Sequence, residues 1–313
     1  MSTGYIAAFA TLIAWTISIF VFARLCRLED SHTLNKAVLF FSIFLLGLLV
    51  CILDRLSPWE LFSTPNSSNW LWLGISGVVG KSLGDYWGFS AMRIMGARRR
   101  SMIATLTPGF TWLFGLMILN ETMNWLGIAA MLLTIVALLL LINNSTEKDE
   151  VKKENFGLPI SGLLFGIGGA ALTALAFILS KMTIVENETK LSAFHGTWIR
   201  IITAFLALMI FDLICNQRVR FIKTFFLNKH RAVLLFLGIL FNTVLGLSFS
   251  LMAITHMNAA EAYSIFSLVP VSVIFVSVIL YKKRLSLQSW IYSALAIAGV
   301  IVLVWRDVLI KRF

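Results

Sequence analysis

Ten apolar blocks separated by short polar links dominate this sequence. A helix of about 20 apolar residues is long enough to cross the hydrocarbon core of a bilayer. Lipid cannot hydrogen-bond to backbone N–H and C=O groups, so only helices and closed barrels cross it, and these blocks lack the alternation of a barrel strand. Hydrophobic residues make up 59% of the chain and charged residues only 13%. The sequence therefore predicts an all-α integral membrane protein with ten transmembrane helices, at about 4–23, 34–53, 70–92, 97–119, 124–143, 157–180, 191–214, 232–255, 259–281 and 286–305.

An internal repeat divides the ten blocks into two sets of five. Leu83–Pro108 aligns without a gap on Leu245–Pro270, and a glycine and a proline coincide in the two copies. Because both residue types have a backbone meaning, the match indicates a duplication. A repeat with an odd number of spans ends on the opposite side of the membrane, so the second copy runs inverted, as in many secondary transporters. We predict two inverted five-helix repeats, at 1–143 and 157–313, joined by a polar linker at 144–156.

Basic residues are concentrated in the links on one side of the membrane. The net charge is +11, but most Lys and Arg residues lie between apolar blocks, where they fix topology and contact lipid headgroups. Membrane lipid is therefore an expected partner and nucleic acid is not. The positive-inside rule places the links after blocks one, three, five, seven and nine in the cytoplasm and both termini outside. The expected location is the cell (inner or plasma) membrane, with multiple spans.

Small residues recur at helical spacing in blocks three and eight. Gly80, Gly84 and Gly88 share one face of block three, and Gly246 occupies the position of Gly84 in the second repeat. Small residues at this spacing let helix backbones approach closely. The pattern predicts close helix packing, and a functional interpretation adds that blocks three and eight cross beside a cavity.

Pro108 and Pro270 occupy equivalent positions near the middle of blocks four and nine. Each lacks a backbone donor and clashes with the preceding turn, which should bend the helix and free the carbonyls of Ala104 and Phe266. Paired interruptions in two repeats indicate a site near the bilayer midplane. A bend that only shapes the packing is the alternative interpretation.

Ionisable side chains lie deep inside blocks three and seven. Lys81 and Asp85 are four residues apart, so they can meet on one helix face. An ionisable group at the bilayer centre costs about 2.5–3.5 kcal/mol on insertion scales, so we expect either a structural ion pair or a pair that faces substrate or handles protons. Arg200 has no acid nearby in sequence. It is a candidate for binding a substrate carboxylate or phosphate, or a lipid phosphate if it lies at headgroup depth.

Aromatic and polar residues complete the candidate binding set. Tryptophans at block ends usually anchor at the membrane interface, whereas Trp15 is in the middle of its block. The zinc motif H-E-x-x-H does not occur, and Gly80–Gly84, which fits the nucleophile motif G-x-S-x-G, lies inside an apolar helical block instead of after a strand. We therefore predict no catalytic residues, no metal and no cofactor. The candidate substrate-binding residues are Trp15, Lys81, Asp85, Tyr86, His195, Trp198, Arg200, Asn242 and Tyr263.

Two stretches of the first repeat resemble a known transporter family. The runs G-D-Y-W-G-F-S-A-M-R-I-M-G-A-R and S-M-I-A-T-L-T-P-G-F-T-W-L-F-G-L-M-I-L-N-E-T-M-N-W-L-G are similar to the EamA repeat of the drug/metabolite transporter superfamily. The resemblance implies ten spans in two halves and both termini in the cytoplasm, which is the reverse of what the link charges indicate. The second repeat departs from the pattern, because Lys283 stands where the first repeat has Glu121, the family's acid after its fourth block. The family's arginine of the second block is present only in the second repeat, as Arg200.

These features predict a secondary transporter that exports small metabolites or amino-acid-like solutes by alternating access through a central cavity between the repeats. A lipid or lipid-carrier flippase is the alternative, in which Arg200 would bind a phosphate. An enzyme is not expected, because the residues form no catalytic constellation. The expected partners are a small-molecule solute and membrane lipid, and a homodimer is compatible with this class.

Overall fold

The computed structural model describes residues 2–144, 160–186, 191–214, 228–281 and 286–310. Every regular element in these ranges is helical. The predicted linker lies outside the described residues except for its first residue, Asn144. In chain order the elements are α1 (Ser2–Leu28), α2 (Ser31–Leu53), α3 (Glu60–Ser63), α4 (Ser67–Gly77), π1 (Val78–Gly84), α5 (Asp85–Ala104), α6 (Thr107–Leu119), α7 (Trp125–Asn144), α8 (Ile160–Glu186), α9 (Ala193–Ile214), α10 (Lys229–Gly238), π2 (Ile239–Leu247), α11 (Ser248–His256), α12 (Ala259–Phe266), α13 (Val269–Tyr281) and α14 (Leu287–Ile310).

Ten membrane spans account for these helices. Five stretches have the length and apolar composition to cross a bilayer: α1, α2, α8, α9 and the series α10–π2–α11. Shorter apolar helices supply spans four, five, nine and ten, and α4, π1 and the first limb of α5 form span three. The all-α fold with ten spans is confirmed. Several helices continue a few residues beyond the predicted block ends, because polar residues at the membrane surface extend the last turns.

The outer surface of the bundle is apolar and its interior contains polar groups. Phe44 and Met117 expose 62% and 70% of their surface, whereas Thr111 and Arg200 are buried. Leucine, isoleucine and phenylalanine side chains that point outward are favourable only against lipid. Polar groups that point inward find hydrogen-bond partners or a cavity inside the bundle. The distribution therefore matches a bundle whose solvent is the bilayer.

Packing between the repeats follows a two-fold pattern. Span three packs on span six through π1, α5 and α8, and span eight packs on span one through π2, α11 and α1. Spans two and seven pair through α2 and α9, and spans five and ten pair through α7 and α14. Exchange of the repeats maps this set onto itself, as expected for inverted repeats. The small-residue faces of spans three and eight pack against spans six and one. These faces therefore do not serve the predicted crossing of blocks three and eight.

The predicted bends at the two prolines are complete breaks between helices. After two non-helical residues α5 gives way to α6, and α12 gives way to α13 in the same manner. Pro108 and Pro270 are each the second residue of the new helix, where a missing N–H costs no helical hydrogen bond. A turn bond from Leu106 N to Ile103 O, at 3.1 Å, bridges the first break, and the equivalent bond in the second repeat is also 3.1 Å.

Spans three and four are connected by one bent helix, α5. α5 continues across the predicted link between blocks three and four. A Cβ built on Gly88 would lie 3.1 Å from Nη2 of Arg100. Twelve residues of straight helix rise about 18 Å, farther than an arginine side chain extends, so α5 bends sharply between these residues.

Each repeat contains a π-helical segment at the same place. π1 and π2 both lie near the middle of their spans. π1 includes Gly84, and π2 includes the equivalent residue Gly246. A π-segment accommodates extra residues within a turn, is rare, and is frequently found at functional sites. The sequence analysis did not predict either segment, because the residue spacing of a π-turn differs little from that of an α-turn.

Glycines permit the closest contacts between spans. A Cβ on Gly80 would lie 2.5 Å from Cβ of Ala176, and one on Gly84 would lie 3.4 Å from Oγ1 of Thr173. A Cβ on Gly77 would lie 2.1 Å from the carbonyl oxygen of Arg200, a backbone atom that has little freedom to move aside. Span three therefore depends on these glycines for its approach to spans six and seven.

We expect Gly77→Ala to lower the unfolding free energy by about 1–3 kcal/mol, because the new methyl group overlaps a backbone atom. Gly74→Ala is the matched control on the same helix. Its Cβ would be 3.4 Å from Cγ2 of Thr203, an ordinary contact, so its stability should be unchanged or slightly higher. Thermal unfolding of both variants in detergent checks this, and equal melting temperatures would contradict it.

Candidate functional site

A cavity of about 210 Å³ lies between the two repeats at the middle of the membrane. Trp15, Thr173 and Asn242 line it, and each lies at the midpoint of its span. The lining extends toward the basic links as far as Phe22 and Met92. Six of the predicted binding residues line the cavity: Trp15, Lys81, Asp85, Arg200, Asn242 and Tyr263.

Lys81 and Asp85 form the predicted ion pair. Nζ of Lys81 is 2.5 Å from Oδ2 of Asp85. Lys81 belongs to π1 and Asp85 begins α5, so the π-turn sets the position of the pair. A carboxylate offers about four lone-pair sites, and this contact occupies only one of them. The carboxylate can therefore still accept a hydrogen bond from a solute in the cavity.

Arg200 is buried, with 1% of its surface exposed. Its Nε and Nη1 atoms have no hydrogen-bond partner. Its guanidinium carbon lies 5.1 Å from the centroid of the Phe177 ring, a cation–π contact. Asp212, an acid on the same helix, is bonded instead to His32 and Lys36. A buried cation with unpaired donors can bind an anion from the cavity.

Aromatic rings close one wall of the cavity. The Tyr263 ring lies 4.8 Å from the Phe177 ring and 5.2 Å from the Phe266 ring, centroid to centroid, and Phe266 in turn contacts Trp15 at 5.2 Å. Nε1 of Trp15 donates to the carbonyl oxygen of Asn242 at 3.2 Å. The Tyr263 hydroxyl is buried without a hydrogen-bond partner. Tyr263 therefore offers a second unpaired polar group beside Arg200.

Gly246 and Gly88 leave room for side chains of the site. A Cβ on Gly246 would lie 2.4 Å from the Trp15 indole, and one on Gly88 would meet Arg100. Gly80, Gly88 and Pro270 also line the cavity. The glycines predicted for helix packing thus also shape the cavity.

Asn35 is a supporting residue that the candidate set omitted. This buried residue of α2 donates from Nδ2 to the carbonyl oxygens of Lys81 and Ser82, at 3.2 and 3.0 Å. A π-turn leaves backbone carbonyls without their usual partners, and the amide supplies two hydrogen bonds to them. The sequence feature that could have indicated this role of Asn35 is a polar amide side chain inside an apolar block.

His195, Trp198 and Tyr86 do not line the cavity, so their predicted role in binding is not supported. Nε2 of His195 is 2.9 Å from the carbonyl oxygen of Leu61, in the short helix α3. Nε1 of Trp198 donates to the carbonyl oxygen of Ile43 at 3.1 Å. The Tyr86 ring packs against the imidazole of His32. The sequence offered no means of anticipating α3, which packs over these positions of span seven and buries them.

Arg100 lines the cavity although the sequence analysis assigned it to a basic link. The bend of α5 carries it back toward Gly88, so its guanidinium enters the space between the repeats. No spacing rule anticipates this placement, because it depends on the bend.

A second ion pair joins the repeats at the membrane side that holds the termini. Lys181 in α8 pairs with Glu121, which follows α6, and Nζ of Lys181 donates to the carbonyl oxygen of Met257 at 2.8 Å. Oε2 of Glu121 accepts from the backbone N–H of Ala259 at 3.3 Å, in the first turn of α12. Glu121 of the first repeat is thereby bound to two spans of the second.

The chain folds as ten spans in two five-span halves around a polar cavity. The chain belongs to the EamA-like transporter family, whose model matches it twice, at residues 2–143 and 160–305. The predicted membership of the drug/metabolite transporter superfamily is thereby supported, and the protein is a multi-pass membrane transporter. Members of this family are transporters, not enzymes.

Among solved structures, one described as "Crystal structure of protein" is 15% identical and has a TM-score of 0.70. The match covers 98% of this chain and 99% of that chain, and it shows the shared fold. A comparison with curated proteins gave no match.

We expect Asn35→Ala to lower stability by about 1–3 kcal/mol, because it removes two buried hydrogen bonds to carbonyl groups of π1. Ser42→Ala is the matched control, since Ser42 is equally buried on α2 and its hydroxyl has no partner. Removal of that hydroxyl should leave the stability unchanged or raise it. Thermal unfolding of both variants in detergent is the measurement, and destabilisation of equal size would refute the proposed support of π1.

Proposed function

We propose that this transporter binds a small, amino-acid-like solute with an anionic group in the central cavity and exports it by alternating access. The observation that supports this most directly is the buried guanidinium of Arg200, whose Nε and Nη1 donors are unpaired beside the cavity. An unpaired buried cation is costly, and a solute anion would offset that cost when it binds. The unpaired hydroxyl of Tyr263 can donate to the same anionic group.

The broken helices favour an anion at the same place. Thr107 begins α6 and Val269 begins α13, and both residues line the cavity. The first turn of a helix carries unpaired N–H groups and roughly half a positive charge. Two helix N-termini of 13-residue helices therefore add positive potential to that of Arg200.

The cavity is lined toward the basic links, and this supports entry of the solute from that side. Phe22 and Met92 lie near those links, whereas the ring of Tyr263 and the Glu121–Lys181 pair lie toward the side of the termini. Under the positive-inside rule the basic links face the cytoplasm. The solute then enters from the cytoplasm, and the Glu121–Lys181 pair acts as a latch that holds the outer end closed until the solute is bound.

Arg200→Gln should reduce solute flux by roughly tenfold or more, because a hydrogen bond to a charged group contributes about 1.5–3 kcal/mol. The solute is first identified by an untargeted metabolite comparison of cells with and without the protein. Its labelled form is then followed in liposomes that contain the purified protein. Arg55→Gln is the control, since Arg55 is exposed and lies between α2 and α3.

Normal flux in Arg200→Gln would remove this residue from the solute site. Movement of a labelled phospholipid between leaflets, without flux of any soluble metabolite, would replace the proposed transporter with a flippase.

Glu121→Gln should increase access to the cavity from the side of the termini, because it breaks a cross-repeat ion pair. In a background without Cys26, Cys51 and Cys215, a cysteine at Thr173 should react roughly tenfold faster with a membrane-impermeant thiol reagent added on that side, as loss of about 1.4 kcal/mol would give. The charge-reversed double variant Glu121→Lys, Lys181→Glu rebuilds the ion pair but not the bonds to Ala259 and Met257, so it should slow the labelling only in part. Equal rates in all three proteins would exclude a latch.

A further inference from the structure

The cavity contains more positive than negative groups. The Lys, Arg, Asp and Glu residues among the described part of its lining are Lys81, Asp85, Arg100 and Arg200. Lys81 and Asp85 are in contact at 2.5 Å and neutralise each other. Arg100 and Arg200 both interact electrostatically with that same carboxylate. One acid therefore faces three bases, and the formal charge of the lining is two positive units.

The two excess cations enter the cavity from different elements. Arg200 reaches it from α9 and lies against Phe177 at mid-membrane depth. Arg100 reaches it from the bend of α5 and lies along Gly88, nearer the basic links. A solute that approaches from the links would therefore contact Arg100 before Arg200.

We infer that the solute is a small organic dianion, whose two negative charges are matched by Arg100 and Arg200. This inference rests on the proposed function and narrows it to solutes with a second negative charge, carried either by two carboxylates or by one phosphate. A monoanion would neutralise only one of the two guanidinium groups and leave the other charged in a medium of low dielectric constant. Guanidinium groups match carboxylate and phosphate oxygens through charge-assisted hydrogen bonds. Arg100 is thus a specificity-determining residue, while Arg200 provides the deeper contact.

A size-matched series isolates charge from shape. Succinate, succinamate and succinamide have nearly the same size and carry two, one and no negative charges. Inorganic phosphate is added as the minimal phosphate probe. Binding to the purified full-length protein is measured by ligand-induced thermal stabilisation at constant ionic strength, with chloride as the balancing anion.

Succinate or phosphate should bind at least tenfold more tightly than succinamate, because one additional charge-assisted hydrogen bond is formed. Arg100→Gln should abolish this preference, while Arg100→Lys, which keeps the charge, should retain most of it. Arg93→Gln is the control, since Arg93 is an exposed arginine of α5 outside the cavity lining. Stronger binding of succinate than phosphate would assign a dicarboxylate, and the reverse order a phosphate compound.

Two binding results, and one transport result, would overturn the dianion. One is the absence of any preference for succinate or phosphate over succinamate. The other is a preference that survives both Arg100→Gln and Arg200→Gln, which would indicate adventitious anion binding only. Flux of a neutral or singly charged metabolite that depends on Arg200 would leave the proposed transport intact and reject the dianion. If the unsubstituted protein moves no soluble metabolite at all, the proposed function itself is rejected.

Discussion

Lipid offers no hydrogen bonds to a polypeptide backbone, and the architecture of this chain follows from that constraint. Straight helices satisfy their own backbone groups wherever they face lipid. The helical ladder departs from its regular pattern in π1, π2 and the breaks before α6 and α13, and all four of these places contribute residues to the cavity. Irregular backbone at membrane depth is tolerated only where protein or a polar cavity covers it. The cavity and the irregular segments therefore require each other.

Side chains donate hydrogen bonds to backbone carbonyl groups where the helices are irregular. Asn35 donates to two carbonyl groups of π1, and Trp15 donates to a carbonyl group of π2. The two donors come from spans two and one of the first repeat, so the two π-segments are supported by different elements. Each donor also fixes a group that faces the cavity, Lys81 in one case and the Trp15 indole in the other. Backbone satisfaction and site geometry are thus achieved by the same hydrogen bonds.

The sequence predicts what depends on composition and spacing, and it fails where a side chain depends on a distant element. Apolar block length predicts the ten spans, and a four-residue separation predicts the contact between Lys81 and Asp85. Arg100 could not be placed, because its entry into the cavity requires the bend of α5. His195 was expected in the binding site but lies outside the cavity, because α3 covers it. The prolines were located correctly, but whether a proline bends a helix or begins a new one depends on the turn that precedes it.

The two repeats share a scaffold but not its charges, and this difference bears on the energetics of transport. Glu121 of the first repeat pairs with Lys181 of the second at the side of the termini. The positions related by the repeat are Lys283 and Arg24, which carry like charges. A closure of the opposite side that mirrors this one would bring two cations together in place of an ion pair, and like charges destabilise a contact. The two closed states would therefore differ in free energy even without solute. An anion that neutralises the cavity would lower the cost of closing the basic side, so binding of the solute and the change of access would be coupled through charge.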